Sequence, residues 1–204
     1  MPHLLVDLSY HGFGHIAQTA PVVNALAERL PGLRVTLRSG APQALLAQRF
    51  HCDFTLISRA LDFGMEMADA VGVRVEESAR AYRDFHRDWK GREAREAENM
   101  AALAPDLLFA NVPYLSLAAA AGAGIPSVAM CSLNWADIYA HYCHDRPEAP
   151  EIHSQMLAAY RSAAHFLQPL PGMAMENLAN RRAIGPLARL GRNRRAELDA
   201  RLGI

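Results

Sequence analysis

The chain has 204 residues, of which 51% are hydrophobic and 21% are charged, as expected for a globular domain with a full core. Basic and acidic residues number 21 each, so the formal net charge is zero, which argues against nucleic acid or an anionic membrane as a partner. Three widely spaced cysteines, Cys52, Cys131 and Cys143, argue against a disulfide framework. Together with the lack of a signal-peptide pattern or a membrane-length apolar run, they predict a cytoplasmic protein.

The first part of the chain alternates between strand and helix patterns. A glycine-rich turn at residues 11–15 separates the first strand from a helix, and Pro21 is expected in or near the first turn of that helix, where its missing N–H costs little. The second strand alternates apolar and polar residues, which predicts partial exposure. The predicted strands are 4–9, 33–38 and 54–58, and the predicted helices are 16–30 and 42–50.

The middle of the chain predicts a loop followed by a long helical region. Residues 59–74 carry weak signals, whereas residues 75–103 are rich in helix formers, with Gly91 as the expected break. Within this region Tyr82, Phe85 and Trp89 form one helical stripe, which we expect to pack on the sheet. A role in stacking on a ligand is the alternative.

The strand and helix pattern then resumes up to an arginine-rich tail. The predicted strands are 107–110, 127–131 and 165–168, and the predicted helices are 115–121 with Gly122 as its cap, 151–164 and 193–202. We interpret the tail as a connector rather than a nucleic-acid arm; its arginines are Arg181, Arg182, Arg189, Arg192, Arg194, Arg195 and Arg201. The whole pattern predicts an α/β fold with a doubly wound, mostly parallel Rossmann-like sheet and helices on both faces.

The strongest candidate site is the turn after the first strand, which contains His11, Gly12, Gly14 and His15. Ligands of open parallel sheets bind outside the carboxyl ends of the strands, and glycines allow close approach of backbone to a ligand. His15 lies at the start of a helix, whose dipole disfavours the protonated imidazole, so we predict it to be a general base. The alternative is a structural turn whose histidines bond to backbone.

The same turn also matches a dinucleotide-binding pattern, with Gly12, Gly14 and Ala17 in the three small positions. The predicted second strand ends in Arg38 and Ser39 and offers no acidic residue for a ribose. Nicotinamide chemistry is therefore a distant alternative, and no Gly-Lys-Ser/Thr sequence follows to make a phosphate-binding loop.

Two further polar segments follow later strands and should share the same edge of the sheet. Asn111 comes after the fourth strand and is interpreted either as a partner of His15 or a substrate ligand, or as a turn cap. Asn134 and Trp135 follow the fifth, where an amide beside an aromatic ring suits a sugar or another ring-bearing ligand. Their alternative is an N-capped helix with packed aromatics.

A fourth feature, made of His141, Cys143, His144 and Asp145, hints at a metal site. The spacing fits no zinc signature, and no second pair of ligands accompanies it in the sequence. We therefore predict no metal.

Three segments resemble the N-terminal domain of GT-B glycosyltransferases, including the MurG-like and UDP-glucuronosyltransferase-like groups. They are the turn at residues 11–15, the segment made of residues 123–128 and 132–139, and the closing residues 191–204. The glycosyltransferase-like part of arabinokinase-type sugar kinases is similar as well.

The resemblance implies a nucleotide-sugar enzyme that works across a cleft between two Rossmann-like domains. His15 takes the position of the histidine that deprotonates the acceptor hydroxyl, and Asn111 takes the position of the carboxylate that usually supports it. The resemblance also implies that the donor, of UDP-sugar type, is held mainly by a second domain, so no cofactor is expected in this chain. Residues 1–190 are then the acceptor-side domain and residues 191–204 begin the linker.

Three functions remain open from the sequence. The first is the acceptor side of an inverting glycosyltransferase that transfers a hexose to a small sugar-bearing or hydroxyl-bearing acceptor and is inactive alone. The second is a non-catalytic module that binds a sugar or nucleotide sugar, and the third is a nucleotide-sugar hydrolase or epimerase. The sequence does not define the oligomeric state.

Overall fold

The computed structural model of the protein describes residues 1–188 and 191–204. The strands are β1 (His3–Leu8), β2 (Arg34–Ser39), β3 (Thr55–Ser58), β4 (Leu107–Asn111), β5 (Ser127–Met130), β6 (His165–Pro169) and β7 (Arg181–Ile184). The helices are α1 (Phe13–Arg29), α2 (Gln43–Ala47), α3 (Val75–His86), α4 (Trp89–Leu103), α5 (Tyr114–Gly122), α6 (Trp135–Cys143), α7 (Ala149–Ser162) and α8 (Arg195–Leu202).

The strands form one sheet in the order β3-β2-β1-β4-β5-β6-β7, and each neighbouring pair is parallel. Alternate residues of a strand point to opposite faces, so the sheet has two cores. Leu4, Val6 and Leu8 of β1 face a core that includes α1 and α2, whereas Leu5 faces a core shared by α3 to α7. The predicted doubly wound, parallel α/β fold is confirmed.

The strand order reverses between β1 and β4. From β1 the chain proceeds through α1 to β2 on one side, while from β4 it proceeds through α5 to β5 on the other. Leu8 and Asn111, the last residues of β1 and β4, are register partners, so the two carboxyl ends lie side by side. The connections diverge there and leave a crevice, which is where open α/β sheets bind ligands.

Two predictions about the first part of the chain are wrong. Pro21 lies inside α1 rather than near its first turn, because the helix already begins at Phe13, directly after Gly12. The second strand is buried rather than partly exposed: Thr36 and Arg38 both face the core that contains α4. Alternation indicates exposure only when the polar face meets water, and here it meets charged side chains instead.

Arg38 is the centre of that buried charged cluster. Its Nε and Nη2 donate to the two carboxylate oxygens of Asp7 at 2.7 and 2.6 Å, and its Nη1 donates to Glu96 of α4 at 2.5 Å. Arg59 reaches the other oxygen of Glu96 at 2.7 Å. Buried charges are tolerated when they are paired and hydrogen-bonded, so the cluster joins β1, β2 and α4 beneath the crevice.

Other differences concern the ends of elements. The break between α3 and α4 falls at Arg87 and Asp88, and Gly91 lies inside α4. Gly122 is the last residue of α5 and the cap is Ala123. The predicted aromatic stripe does pack into the core, where Tyr82 contacts the ring of Phe63 with centroids 4.8 Å apart.

The arginine-rich tail contains a strand that the sequence pattern does not indicate. Arg181 and Arg182 belong to β7 at the edge of the sheet, not to a connector. Arg189 and the predicted domain boundary at residue 190 lie outside the described residues. Among the helices of the described chain, none combines the length and the apolar character needed to cross a lipid bilayer.

Candidate active site

The turn after β1 brings His15 to the crevice. Gly12 has φ of 126°, a backbone conformation that side chains other than glycine rarely adopt, and it allows α1 to begin at Phe13. The backbone N–H of Ser9 donates to the carbonyl of Asn111 at 2.7 Å and so ties the end of β1 to the end of β4. His15 therefore lies in the first turn of α1 and faces the last residue of β4.

His15 and Asn111 form the central pair of the site. Nδ1 of His15 lies 2.9 Å from Oδ1 of Asn111, which only accepts hydrogen bonds, so Nδ1 carries the proton and donates it. The amide orientation is fixed by Nδ2 of Asn111, which faces the carbonyl of His15 at 3.4 Å and Oε1 of Gln18 at 3.5 Å. Because Nδ1 is protonated, Nε2 of a neutral His15 holds a lone pair that can accept a proton.

The surroundings keep His15 neutral. Burial lowers the pKa of His15, and the hydrogen bond with Asn111 opposes that shift without reversing it. The N-terminus of α1 disfavours the imidazolium further. A neutral imidazole with a free nitrogen at a crevice has the state that a general base requires.

Cys131 lies beside this pair at the end of β5. Its Sγ is 3.7 Å from Nδ1 of His15, and burial raises the pKa of the thiol to about 12. The thiolate is the nucleophilic form of cysteine, and a thiol with this raised pKa stays protonated at neutral pH. Cys131 therefore packs here as an apolar group.

Trp135 packs between His15 and His11, the two histidines of the turn. Its ring centroid lies 6.0 Å from that of His15 and 5.5 Å from that of His11, the latter in an edge-to-face arrangement. Gly64 has φ of 56° and packs against both Trp135 and His11, since an added Cβ would lie 2.8 and 2.7 Å from atoms of these rings. The loop of residues 59–74 thus covers the turn after β1.

Asp62, in the same loop, is the site residue that the sequence reasoning missed. Its Oδ2 accepts a hydrogen bond from the indole Nε1 of Trp135 at 2.8 Å, and its side chain is 6% exposed. Burial raises the pKa of Asp62, whereas the Trp135 indole, the Ser9 hydroxyl and the charge of His11 lower it. The sequence around residue 62 shows no periodicity, so only the folded loop reveals this carboxylate.

Asn134 has a capping role in the structure. Its Oδ1 accepts from the backbone N–H of Asp137 at 2.8 Å, and its Nδ2 donates to the Asp137 carboxylate at 2.7 Å. Both polar groups of the side chain are therefore engaged at the start of α6, as in the N-capped-helix interpretation. Asn134 positions Trp135 through that helix start.

Beside His11 and Trp135 lies an open groove of about 580 Å³ between the loop of residues 59–74 and α6. Most of its lining is apolar, and His11 and Trp135 form the end nearest the crevice. The other side chains that line it are Met65, Met67, Asp69, Ala70, Val71, Val73, Ile138 and Tyr142. Methionines and aliphatic side chains adapt to a flat apolar ligand, and such grooves are common binding sites.

The remaining predicted residues do not form a second site. Gly12 and Gly14 lie exposed at the rim of the crevice. His141 and His144 are exposed near the end of α6, and across residues 1–188 and 191–204 no three His, Cys, Asp or Glu side chains are grouped as metal ligands would be.

No family model matches the sequence, and no curated protein is detectably similar to it. Solved structures, in contrast, share its fold. The calicheamicin glycosyltransferase CalG4 is 14% identical, with a TM-score of 0.56 over 91% of this chain and 53% of its own. Phytolacca americana UGT2, complexed with UDP-2fluoro-glucose and pterostilbene, is 14% identical with a TM-score of 0.53 over 94% of this chain and 55% of its own.

Arabidopsis thaliana UGT89C1 gives a similar result. Its complex with quercetin is 14% identical, with a TM-score of 0.54 over 99% of this chain and 55% of its own. The chain has the fold of a GT-B glycosyltransferase domain. This confirms the predicted resemblance at the level of the fold, and the chain spans about half the length of the structures it matches.

Proposed function

We propose that this chain is the acceptor-side domain of a nucleotide-sugar-dependent glycosyltransferase, with His15 as the general base. The observation that carries the proposal is the pairing of His15 with Asn111 at the point where the strand order reverses. The pair fixes the proton on Nδ1 and leaves Nε2 to receive another. A structural turn would need neither this tautomer nor this location.

In the proposed reaction, Nε2 of His15 takes the proton of an acceptor hydroxyl. The acceptor oxygen forms a bond to the anomeric carbon of the donor sugar, while the bond from that carbon to the nucleoside diphosphate breaks. The diphosphate leaves with the bonding electrons, and the attack from the opposite side inverts the anomeric centre. Asn111 holds the imidazole in the required orientation, but its neutral amide does not stabilise the imidazolium as a carboxylate would.

The acceptor is proposed to occupy the groove beside His11 and Trp135. The lining favours a flat, largely apolar molecule that carries hydroxyl groups. Quercetin and pterostilbene, the compounds complexed with two of the similar structures, are of this class and are suitable probes. We propose a UDP-sugar as donor, since one of the similar structures is complexed with a UDP-sugar analogue.

Residues 1–190 are proposed as the acceptor-side domain and residues 191–204 as the start of a linker to a donor-binding domain. The support is that the matched structures are about twice as long as the aligned part. We therefore expect turnover only when both halves are present.

A pair of matched substitutions tests the groove. Met67 lines it and is 40% exposed, whereas Leu30 is 45% exposed at the end of α1, outside the groove. We expect Met67→Asp to weaken quercetin binding about tenfold or more in calorimetry, because a charge is placed in an apolar lining. Leu30→Asp should change the dissociation constant less than twofold.

If both substitutions changed the dissociation constant of quercetin equally, the acceptor would not bind in the groove. A chain that binds quercetin in the groove but, joined to its donor-binding half, never transfers glucose from UDP-glucose would instead be a binding module. Release of free glucose in place of a glycoside would indicate a hydrolase.

A further inference from the structure

Asn111 carries an amide, and an amide presents different atoms to His15 in its two orientations. Its oxygen accepts and its NH2 group donates, and the two groups are similar in size, so packing alone does not choose between them. A carboxylate would accept from Nδ1 of His15 in either orientation. With an amide at this position, the tautomer of His15 depends on the groups that hold Asn111 in place.

Those groups form a line of hydrogen-bonded side chains along the crevice. Nδ1 of His15 lies 2.9 Å from Oδ1 of Asn111. Nδ2 of Asn111 faces Oε1 of Gln18 at 3.5 Å, and Nε2 of Gln18 donates to the hydroxyl of Ser132 at 2.9 Å. Gln18 belongs to α1, Asn111 ends β4 and Ser132 lies just after β5, so the line joins three elements around the crevice.

The direction of each bond follows from the atoms that can only donate or only accept. The carbonyl of His15 only accepts, and it lies 3.4 Å from Nδ2 of Asn111, so the NH2 group is on that side. Nδ2 is shared between this carbonyl and Gln18, which accounts for two long distances. Gln18 then presents Oε1 to Asn111, and its Nε2 is left for Ser132.

Ser132 is a fixed end point for this line. Its carbonyl accepts from the backbone N–H of Met173 at 2.8 Å. Gly172 packs on the same carbonyl, since an added Cβ would lie 2.9 Å from the oxygen. The segment after β6 thus holds the backbone of Ser132, so its hydroxyl is an anchored acceptor for Gln18.

We propose that Gln18 and Ser132 are positioning residues that hold Asn111 in one amide orientation. Resting on the proposed function, this keeps the proton of His15 on Nδ1 and leaves Nε2 to take the proton of the acceptor hydroxyl. Gln18 acts on the base through Asn111, and it supplies the fixed orientation that a carboxylate at position 111 would not need.

The tautomer of His15 tests the proposal without any ligand. Burial lowers the pKa of His15, so the imidazole is neutral at pH 8, and nitrogen NMR of the wild-type chain should show it protonated at Nδ1. Gln18→Met keeps the length of the side chain but not the acceptor. The ratio of the Nδ1–H to the Nε2–H form of His15 should then fall about threefold, the effect of one weak neutral hydrogen bond.

Gln18→Glu is the matched control, because its carboxylate still accepts from Nδ2 of Asn111 and the tautomer ratio should not fall. Ser132→Ala tests the other end of the line. Gln18 loses its fixed acceptor there and can turn its amide, so the ratio should fall by less than in Gln18→Met. A wild-type His15 in the Nε2–H form would overturn the proposal even if no variant folded. So would a folded Gln18→Met chain with an unchanged ratio.

Quercetin tests the consequence for the proposed reaction. In the wild-type chain a quercetin hydroxyl should donate to Nε2 of His15 and change the NMR resonance of that nitrogen. In Gln18→Met the Nε2–H form cannot accept, so the change should shrink in proportion to the tautomer ratio. A full change in Gln18→Met despite an altered ratio would overturn the positioning role. Quercetin binding that leaves the wild-type resonance unchanged would count against His15 as the base, while the tautomer result would stand.

Discussion

Two buried histidines of this chain, His15 and His86, have similar environments by simple measures but different hydrogen bonding. They are 6% and 7% exposed, and burial lowers the pKa of both, for His86 to about 4. His86 is enclosed by helices: Nδ1 lies 2.7 Å from Oε1 of Gln155, Nε2 lies 2.9 Å from the hydroxyl of Tyr114, and the ring stacks on Trp89 at 4.9 Å.

His15, in contrast, uses only Nδ1 for hydrogen bonding to a side chain among the described residues, and it lies where the sheet opens. A lowered histidine pKa therefore does not distinguish a candidate active-site residue from a core residue in this protein. What distinguishes them is whether a nitrogen remains available at a crevice.

The largest expected effect separates the two histidines by activity. In a protein that joins this chain to the proposed donor-binding half, His15→Gln should reduce kcat for the proposed transfer from UDP-glucose to quercetin by about 10²–10⁴-fold, the usual contribution of a general base. His86→Gln should leave kcat within about threefold, because the ring lies outside the crevice. If both variants keep their fold by circular dichroism but lose kcat to a comparable extent, His15 cannot be distinguished from His86 as the general base.

The second effect concerns stability, and here His86 rather than His15 is expected to matter. The pKa of His86 is 6.5 when unfolded and about 4 when folded, so between these values the unfolded chain binds more protons and folding weakens as the pH falls. This histidine alone should lower the free energy of unfolding by about 3 kcal/mol between pH 7 and pH 4, at 1.36 kcal/mol per pKa unit. Urea unfolding should show that loss in the wild type and a clearly flatter dependence in His86→Gln.

If the pH dependence of stability were the same with and without His86, the pKa of this imidazole would have to be the same in the folded and the unfolded chain. The stacked arrangement with Tyr114 and Trp89 would then need another explanation.

The smallest effect is expected from Asn111→Asp. A carboxylate at 2.9 Å in place of the amide oxygen should raise the pKa of His15, because it stabilises the imidazolium. The histidine titration followed by NMR should move to higher pH, and the acid limb of kcat/KM should move with it. Gln18→Glu is the control, since Gln18 contacts the amide of Asn111 rather than His15. An unchanged titration in Asn111→Asp would mean that the pair is broken in solution.

Much of the fold could be predicted because its signals are local. The apolar run of β1, the glycine turn and the helical spacing of α1 are adjacent in the chain, and their order predicts a parallel sheet. The same reasoning identified the turn after β1 and Asn111 as neighbours, since carboxyl ends of parallel strands meet at one edge. It failed for β2, where the partners of Arg38 come from β1 and α4, and for β7, an edge strand rich in arginine.

The sequence by itself determined the order of the first six strands and the edge at which polar residues collect, because both follow from periodicity within short segments. The tertiary structure decided which atoms meet: the tautomer of His15, the burial of Arg38 and the placement of Asp62 against Trp135. Each of these contacts joins residues far apart in the chain, and only that of Asp62 lies in the aperiodic loop of residues 59–74. Hydrogen-bond geometry and burial exist only once these distant segments have packed together, so no local pattern can contain them.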